Sequence, residues 1–598
     1  MTTNTARKAI NIEKHLATIK ERNDFLTSFG KAILSNQYLL SGEDYQDCFM
    51  RVALAYGDDL AHSQRIYNYI SNLWFMPATP VLSNGGSKRG LPISCYLNET
   101  EDSLEGIVSL WNENVWLASC GGGIGSYWGN LRSIGEKIGQ NGETCGIIPF
   151  IKVMDSMTLA ISQGSLRRGS AAIYLPIDHP EIEEFIDIRR TTGGDPNRKA
   201  LNLHHGIVVP DAFMKAVEED LEWHLRSPKD QSVVHTLSAR SLWMKLLTAR
   251  IEMGEPYLLF IDHVNNALPE HQKKLGLKVK SSNLCTEITL PTGKDTWGHE
   301  RTAVCCLSSV NLEKYLEWEN EPLFIEDCMR FLDNVLEDYI ISASEDMNRA
   351  RYSAIRERSV GLGVMGFHSF LQSENIPIES VMGKVWNNRI FKHIKAQADQ
   401  ASKLLAQEKG SCHDARVCGI EERFSNKIAI APTATISIIA GGTSPGIEPY
   451  AANAYTHKTL SGSFLVKNKF LEALLEQKGQ NNESTWTSIL HAEGSVQHLD
   501  FLSQNEKDVF KTAFEIDQRW LINLASERQA YICQAQSLNL FLASNVHKRD
   551  LHQLHFSAWQ LGLKSLYYLR SKSLQRPEST RSEEIYQYSS IDECLSCQ

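Results

Sequence analysis

The sequence predicts an α/β fold with parallel strands behind a helical N-terminal region, and three observations carry that expectation. Before residue 75 the apolar residues follow helical spacing. After residue 90 short strand-like runs alternate with longer helical patterns. Gly, Pro and Asn cluster between the two regions. Alternation of that kind favours crossover units and a parallel sheet. In residues 13–75, Leu26, Phe29 and Ile33 stand at i, i+3 and i+7, and Phe49, Val52, Leu54 and Ala55 form a later apolar cluster. Phe75–Gly90 holds Pro77, Pro80, Asn84, Gly85 and Gly86 and reads as a loop. The strand candidates that follow are Ile93–Leu97, Ala171–Leu175, Gly206–Val209, Tyr257–Ile261, Thr286–Leu290 and Lys427–Ala431. Helices are expected over 104–118, 147–161, 210–220, 238–253 and 324–350. From Ser571 onward Ser, Glu, Gln and Arg dominate without an apolar face, which reads as a mobile tail. The boundaries implied are 1–90 for the helical domain, 91–570 for the α/β domain and 571–598 for the tail.

Composition narrows the function classes. At 598 residues, 42% hydrophobic and 22% charged, the chain reads as globular. Length alone would suggest about four domains. A net charge of −10 argues against broad nucleic-acid or membrane-surface binding, which needs clustered cations. The polar stretch Met1–His15 lacks the apolar core of a secretory signal. The most apolar long stretch, Ile428–Ile439, is broken by Pro432 and three hydroxyl residues, so no membrane span is expected. Thirteen cysteines in such a chain point to a reducing, cytoplasmic setting.

Asn283-Leu284-Cys285-Thr286-Glu287 sets an amide, a thiol and a carboxyl at alternate positions. In an extended strand these would share one face at about 6.5 Å spacing. The plainer reading is a buried strand cysteine among polar neighbours. Further cysteines bear on it: Cys95 in a strand candidate, the adjacent Cys305 and Cys306, and a terminal C-x-x-C formed by Cys594 and Cys597. A C-x-x-C pair exchanges disulfides by thiolate attack. Its alternative, half of a zinc site, lacks a second such pair, so no metal is assigned. Pro432-Thr433-Ala434-Thr435-Ile436-Ser437 reads as a turn into a helix whose N-terminus suits phosphate, or as ordinary capping. Ser162–Ser170 carries Arg167 and Arg168 in a glycine frame, suited to a nucleotide or to a solvated turn. Cys120 to Gly125 lacks the spacing of a dinucleotide fingerprint. The adjacent Tyr567 and Tyr568 would ordinarily be one buried and one exposed strand residue.

Taken in order, Pro77-Ala78-Thr79-Pro80, Cys95, Ser162–Ser170, Asn283 to Glu287, Cys305, Pro432–Ser437, Gln536 to Asn539, Tyr567-Tyr568 and the terminal pair resemble the catalytic (large, α) subunit of class I ribonucleoside-diphosphate reductases. The resemblance runs from about residue 20 to the end of the chain. It implies a ten-stranded α/β barrel of two five-stranded halves, with the radical cysteine on a central finger loop. It also implies roles. Cys285 becomes a thiyl radical, Glu287 acts as general base at the 3′-hydroxyl, and Asn283 holds the substrate. Cys95 and Cys305 supply the reducing equivalents, with Cys306 the neighbouring alternative. Cys594 and Cys597 then restore them from thioredoxin or glutaredoxin. Tyr567 and Tyr568 relay the radical from a separate small (β) subunit, so no cofactor is expected in this chain. Thr79, Thr433, Thr435 and Ser437 bind the substrate diphosphate, and Ser94 is a further substrate-binding residue. Gln163 and Arg167 lie in the loop that senses a nucleoside triphosphate effector. A homodimer is expected. The ATP-cone that opens many relatives is expected to be absent, and Ala434 stands where some relatives carry Glu. Two rival readings are an adenosylcobalamin-dependent class II enzyme, which needs no tyrosine relay, and a non-catalytic nucleotide-sensing thiol carrier.

Overall fold

The structure, a computed structural model, describes residues 16–163, 167–459 and 462–572. The N-terminal region is helical: α1 (Ser28–Gln37), α2 (Tyr45–Tyr56) and α3 (Leu60–Ser71). Each starts where a short polar side chain satisfies free backbone N–H groups. Thr27 accepts from Gly30 N, Asp59 accepts from His62 N, and Asp44 and Asp47 form a reciprocal capping box. Phe75–Gly90 is more ordered than its breakers suggest. Phe75–Pro77 is a strand, β1, and Thr79–Asn84 a short helix, α4, which Pro80 opens because its missing N–H costs nothing in a first turn.

One half-barrel consists of β2 (Cys95–Glu99), β3 (Gly123–Tyr127), β6 (Ser170–Pro176), β7 (His204–Val209) and β8 (Tyr257–Phe260). These five are parallel neighbours in that order. Their crossovers carry α5 (Leu104–Ser119), α6 (Ile148–Ala160), α7 (Asp211–Glu218) and α8 (Ala239–Met253). A small hairpin of β4 (Ser162–Gln163) and β5 (Arg167–Arg168) precedes β6. In the second half, β9 (Ala303–Asn311) runs parallel to β10 (Val360–Met365), with α9 (Phe324–Ser342) and α10 (Asn348–Glu357) between them. Parallel bridges then join Leu362 to Ile428 and Ile430 to Gln536. The last step pairs β11 (Leu540–Ala543) with β13 (Leu569–Lys572), which follows β12 (Ser565–Leu566). Antiparallel seams close the ring, β2 to β9 at Cys95 and Cys305, and β8 to β12 at Leu258 and Leu566.

Strand alternation separates two apolar layers. Ile173, Leu175, Ile207, Val209, Leu258 and Phe260 face the main core under the helices. Ala172, Tyr174, Val208, Tyr257 and Leu259 instead form an inner cluster with Leu284, Cys285, Tyr567 and Tyr568. A finger loop, 281–290, thus fills the barrel. A Cβ at Gly125 would overlap the carbonyl oxygen of Ser282, so glycine is what admits the loop there.

Several expectations fail. Thr286–Leu290 is not a strand but follows a turn at 284–286, with Thr286 at φ 66°. Lys427–Ala431 makes only single bridges. The helix expected over 324–350 breaks after Ser342, and α10 starts at Asn348. Gly123–Tyr127 and Val360–Met365 are strands that their glycines concealed. No described helix is long and apolar enough to cross a membrane.

Candidate active site

Register positions the first two sulfurs. Cys95 and Cys305 are direct partners across the β2–β9 seam. Opposed antiparallel residues have Cα atoms about 4.5–5.5 Å apart, within the span of a disulfide. Both are buried free thiols. Burial, reinforced by Cys95 close by, pushes the Cys305 thiol well above its ordinary range. Cys306 points to the other side of β9, pairs with Val360, and is likewise pushed up by burial. Of the two neighbours it is Cys305 that faces Cys95.

The finger loop brings the triplet to this pair. Ser282 Oγ donates to Ile288 O at 2.7 Å and closes the loop base. Tyr174 on β6 donates to Asn283 O at 2.7 Å. From the opposite half-barrel, Ser537 Oγ donates to Cys285 O at 2.6 Å and to Glu287 Oε2 at 3.1 Å. Ala535 N donates to Glu287 O at 2.8 Å. Asn283 Oδ1 accepts from Ile288 N at 3.2 Å, which frees its Nδ2 to donate to Cys95 Sγ at 3.3 Å. Cys95 Sγ in turn lies 3.9 Å from Glu287 Oε1 and 3.7 Å from Ser94 Oγ. Asn283 and Glu287 therefore converge on Cys95, but through a turn and not through strand alternation. Left-handed Thr286 carries that turn at a cost of about 1–3 kcal/mol, of a kind that concentrates at functional sites.

Cys285 sits at the tip, buried in the inner cluster with Tyr567 and Tyr568. Their rings are 4.2 Å apart at 51°, and Tyr257 packs on them at 4.8 and 5.1 Å. Both tyrosines are buried, contrary to the one-in, one-out reading. The backbone between β12 and β13 is held by Tyr567 N to Leu538 O, 2.9 Å, and Tyr568 N to Asn539 Oδ1, 3.0 Å.

Three contributors went unassigned in the sequence. Gln534 Nε2 donates to Cys305 Sγ at 3.6 Å and to Val360 O at 3.2 Å, while its Oε1 accepts from Thr289 N at 3.3 Å. Ser537 lies within the Gln536 to Asn539 motif and gave a signal without a role. Tyr257 appeared only as a strand residue.

The hydroxyl residues flank α1. Tyr38, at its C-terminal end, bonds Thr79 Oγ1 at 2.8 Å. Gly30 within it lies against Ile438, in the four-residue helix α11 (Ile436–Ile439). Thr433, at φ 53°, accepts Gly446 N on Oγ1 at 2.6 Å, and its carbonyl takes Ser437 N at 3.0 Å. Ser437 Oγ donates to Ala434 O at 3.2 Å, and Thr435 is buried. Gln163 and Arg167 are paired residues of the β4–β5 hairpin. Cys594 and Cys597 lie outside the described residues.

Residues 24–90 match the family model of the ribonucleotide reductase all-alpha domain, and 93–416 and 416–569 match that of its barrel domain. The chain belongs to the ribonucleotide reductase large-subunit family. Similar proteins of this reductase family include the ribonucleoside-diphosphate reductase large subunit of Invertebrate iridescent virus 3, 40% identical over 94% of this chain and 96% of that one. A putative large subunit from Frog virus 3 (isolate Goorha) is 40% identical over 96% and 98%. Among solved structures, the Actinobacillus ureae class Id ribonucleotide reductase alpha subunit is similar at a TM-score of 0.81 and 34% identity, covering 92% of this chain and 98% of that one. As a member of this reductase family the chain is an oxidoreductase, and its barrel is the family's fold.

Proposed function

We propose that this chain is the catalytic subunit that reduces ribonucleoside diphosphates to 2′-deoxyribonucleoside diphosphates by thiyl-radical chemistry. One observation carries the reading: the finger brings Asn283 and Glu287 onto Cys95, opposite Cys305, while its tip cysteine shares the inner core with a closely packed, tilted tyrosine pair. A radical on Cys285 would take the ribose 3′ hydrogen. Glu287, oriented by Ser537, would accept the 3′-hydroxyl proton as general base. The 2′-hydroxyl then leaves as water, and the Cys95 and Cys305 thiols give up two electrons and two protons as their disulfide forms. Cys594 and Cys597 would reduce that disulfide and be recharged by thioredoxin or glutaredoxin. Thr79, Thr433, Thr435 and Ser437 would hold the diphosphate, and Ser94 would also contact the substrate.

In this reading a small (β) subunit generates the radical, and Tyr567 and Tyr568 carry it inward. The similar solved structure named as a class Id alpha subunit and the buried tyrosine pair support this over a cobalamin-dependent enzyme. A homodimer accords with the exposed apolar residues Leu104, Val108 and Trp116 of α5 and Val153 and Leu159 of α6, beside the hairpin that would read a nucleoside triphosphate. A cytoplasmic setting accords with the free thiols. The deciding assay is CDP reduction with and without the cognate small subunit and cobalamin. Turnover that needs the small subunit and no cobalamin is expected, and the reverse requirement would overturn the class I assignment.

A further inference from the structure

Away from the cysteines, a buried titratable cluster closes on Tyr568. Tyr568 Oη lies 3.2 Å from His204 Nδ1, and the two rings meet edge to face at 6.0 Å. The same Nδ1 is 2.6 Å from Glu255 Oε1. Arg189 pairs with that carboxylate oxygen and sits 2.9 Å from Nδ1. Glu255 Oε2 accepts the His205 backbone N–H at 3.0 Å. Burial would drive the Glu255 carboxyl toward neutrality, yet the Arg189 guanidinium beside it overcomes this and holds the group well below the usual carboxylate range. His204 opens β7, and Glu255 stands two residues before β8, so the β7–β8 pairing delivers both to the tyrosine. Glu255 is 1% exposed and Arg189 19%, so the series runs from the inner core to the surface.

An ion pair alone would account for Arg189 and Glu255. It does not account for one imidazole nitrogen within reach of both a carboxylate and a phenol, a placement that lets it take the phenolic proton. A second observation bears on Tyr568 itself. The Arg570 guanidinium lies over its ring, 4.1 Å from the centroid. A cation there disfavours any positive charge on the ring. Loss of an electron from Tyr568 must therefore be matched by loss of its phenolic proton.

We infer that His204, backed by Glu255, is the proton acceptor for Tyr568 during radical transfer. The inference rests on the function proposed above, in which the partner subunit supplies the oxidant. The electron leaves Tyr568 for that oxidised centre, and the O–H bond breaks. Its proton passes to the lone pair of a neutral His204 at Nδ1, and the imidazolium so formed is held by the Glu255 carboxylate 2.6 Å away. The products are a neutral tyrosyl radical and an imidazolium–carboxylate pair, and re-reduction of the radical takes the proton back.

The test uses the full chain with its small subunit. Parent activity on CDP comes first, because its absence would sink the functional reading before this one is reached. His204→Gln and Glu255→Gln should each lower kcat about tenfold or more while the KM for CDP holds. The solvent deuterium isotope effect on kcat should rise in both, because proton loss from Tyr568 becomes limiting. Folded variants with kcat within roughly threefold of the parent would overturn the inference, as would a fall in kcat with an unchanged isotope effect. Should one variant fail to fold, judged by nucleotide binding and thermal melting, the other decides. Failure of both overturns it, since a structural need then suffices.

Discussion

The sulfurs of this site are placed by two different kinds of structure. Cys95 and Cys305 oppose each other on a strand ladder, so backbone register alone holds them together. Cys285 has no ladder. It rides on a turn that Tyr174 holds from one half-barrel and Ser537 from the other, residues far apart in the chain. A pair set by register tolerates side-chain change, because the backbone bonds persist. A loop threaded through a closed ring depends on every wall it touches. Closing the barrel and seating the finger are therefore one event.

The largest expected effect separates chemistry from scaffold. Cys285→Ser should abolish reduction of every substrate while nucleotide binding survives, and residual turnover would show that another group carries the radical. Next is the threading itself. Gly125→Val would press against the Ser282 carbonyl, which is backbone and cannot swing away. We expect a loss of about 3 kcal/mol or more, read as a lowered denaturation midpoint. A midpoint at the parent value would mean the finger is not held at that wall.

Ladder cysteines should behave differently. Cys95→Ser and Cys305→Ser are expected to melt like the parent yet lose thioredoxin-driven turnover, whereas Cys306→Ser keeps it. Peptide mapping after substrate-driven oxidation should find a Cys95–Cys305 disulfide, and a Cys95–Cys306 link would break the register argument. A smaller change is expected for Ser537→Ala, which removes donors to Cys285 O and Glu287. About 1–3 kcal/mol of stability should be lost, measured by denaturant unfolding, together with a drop in kcat. Smallest of all is a difference in labelling. Among the described cysteines, the exposed Cys145 should be alkylated first at pH 8, while Cys305 stays protected because burial keeps its thiol protonated.

The sequence disclosed the participants better than their geometry. Helices over 104–118, 147–161, 210–220 and 238–253 correspond closely to α5, α6, α7 and α8, since their apolar periodicity is local and Ser103 and Ser238 cap α5 and α8. Thr286–Leu290 misled because Thr and Ile favour strands, and no local rule reports that the segment lies inside a barrel with no ladder partner. Gly123–Tyr127 and Val360–Met365 were missed for the complementary reason. Their glycines weaken a strand pattern, and Gly125 and Gly361 are explained only by what approaches them, Ser282 for the first and, for the second, the Leu307 side chain with the sulfur of Cys305 behind it. Gln534 looked like any polar residue before a motif until the fold laid it against that same sulfur.

By itself the sequence determined which chemical groups are present, their order along the chain, and the helices whose caps and periodicity are local. It also limited Cys305 and Cys306 to opposite faces once either was placed on a strand, because the pleat has a period of two. Only the tertiary structure decided that Asn283, Glu287, Cys95 and Cys305 meet, and that Cys285 shares a core with Tyr567 and Tyr568. Those contacts depend on the register across the β2–β9 seam and on a finger held between two half-barrels. Both are settled by burial and hydrogen bonding between segments too distant in the chain for any local pattern to report.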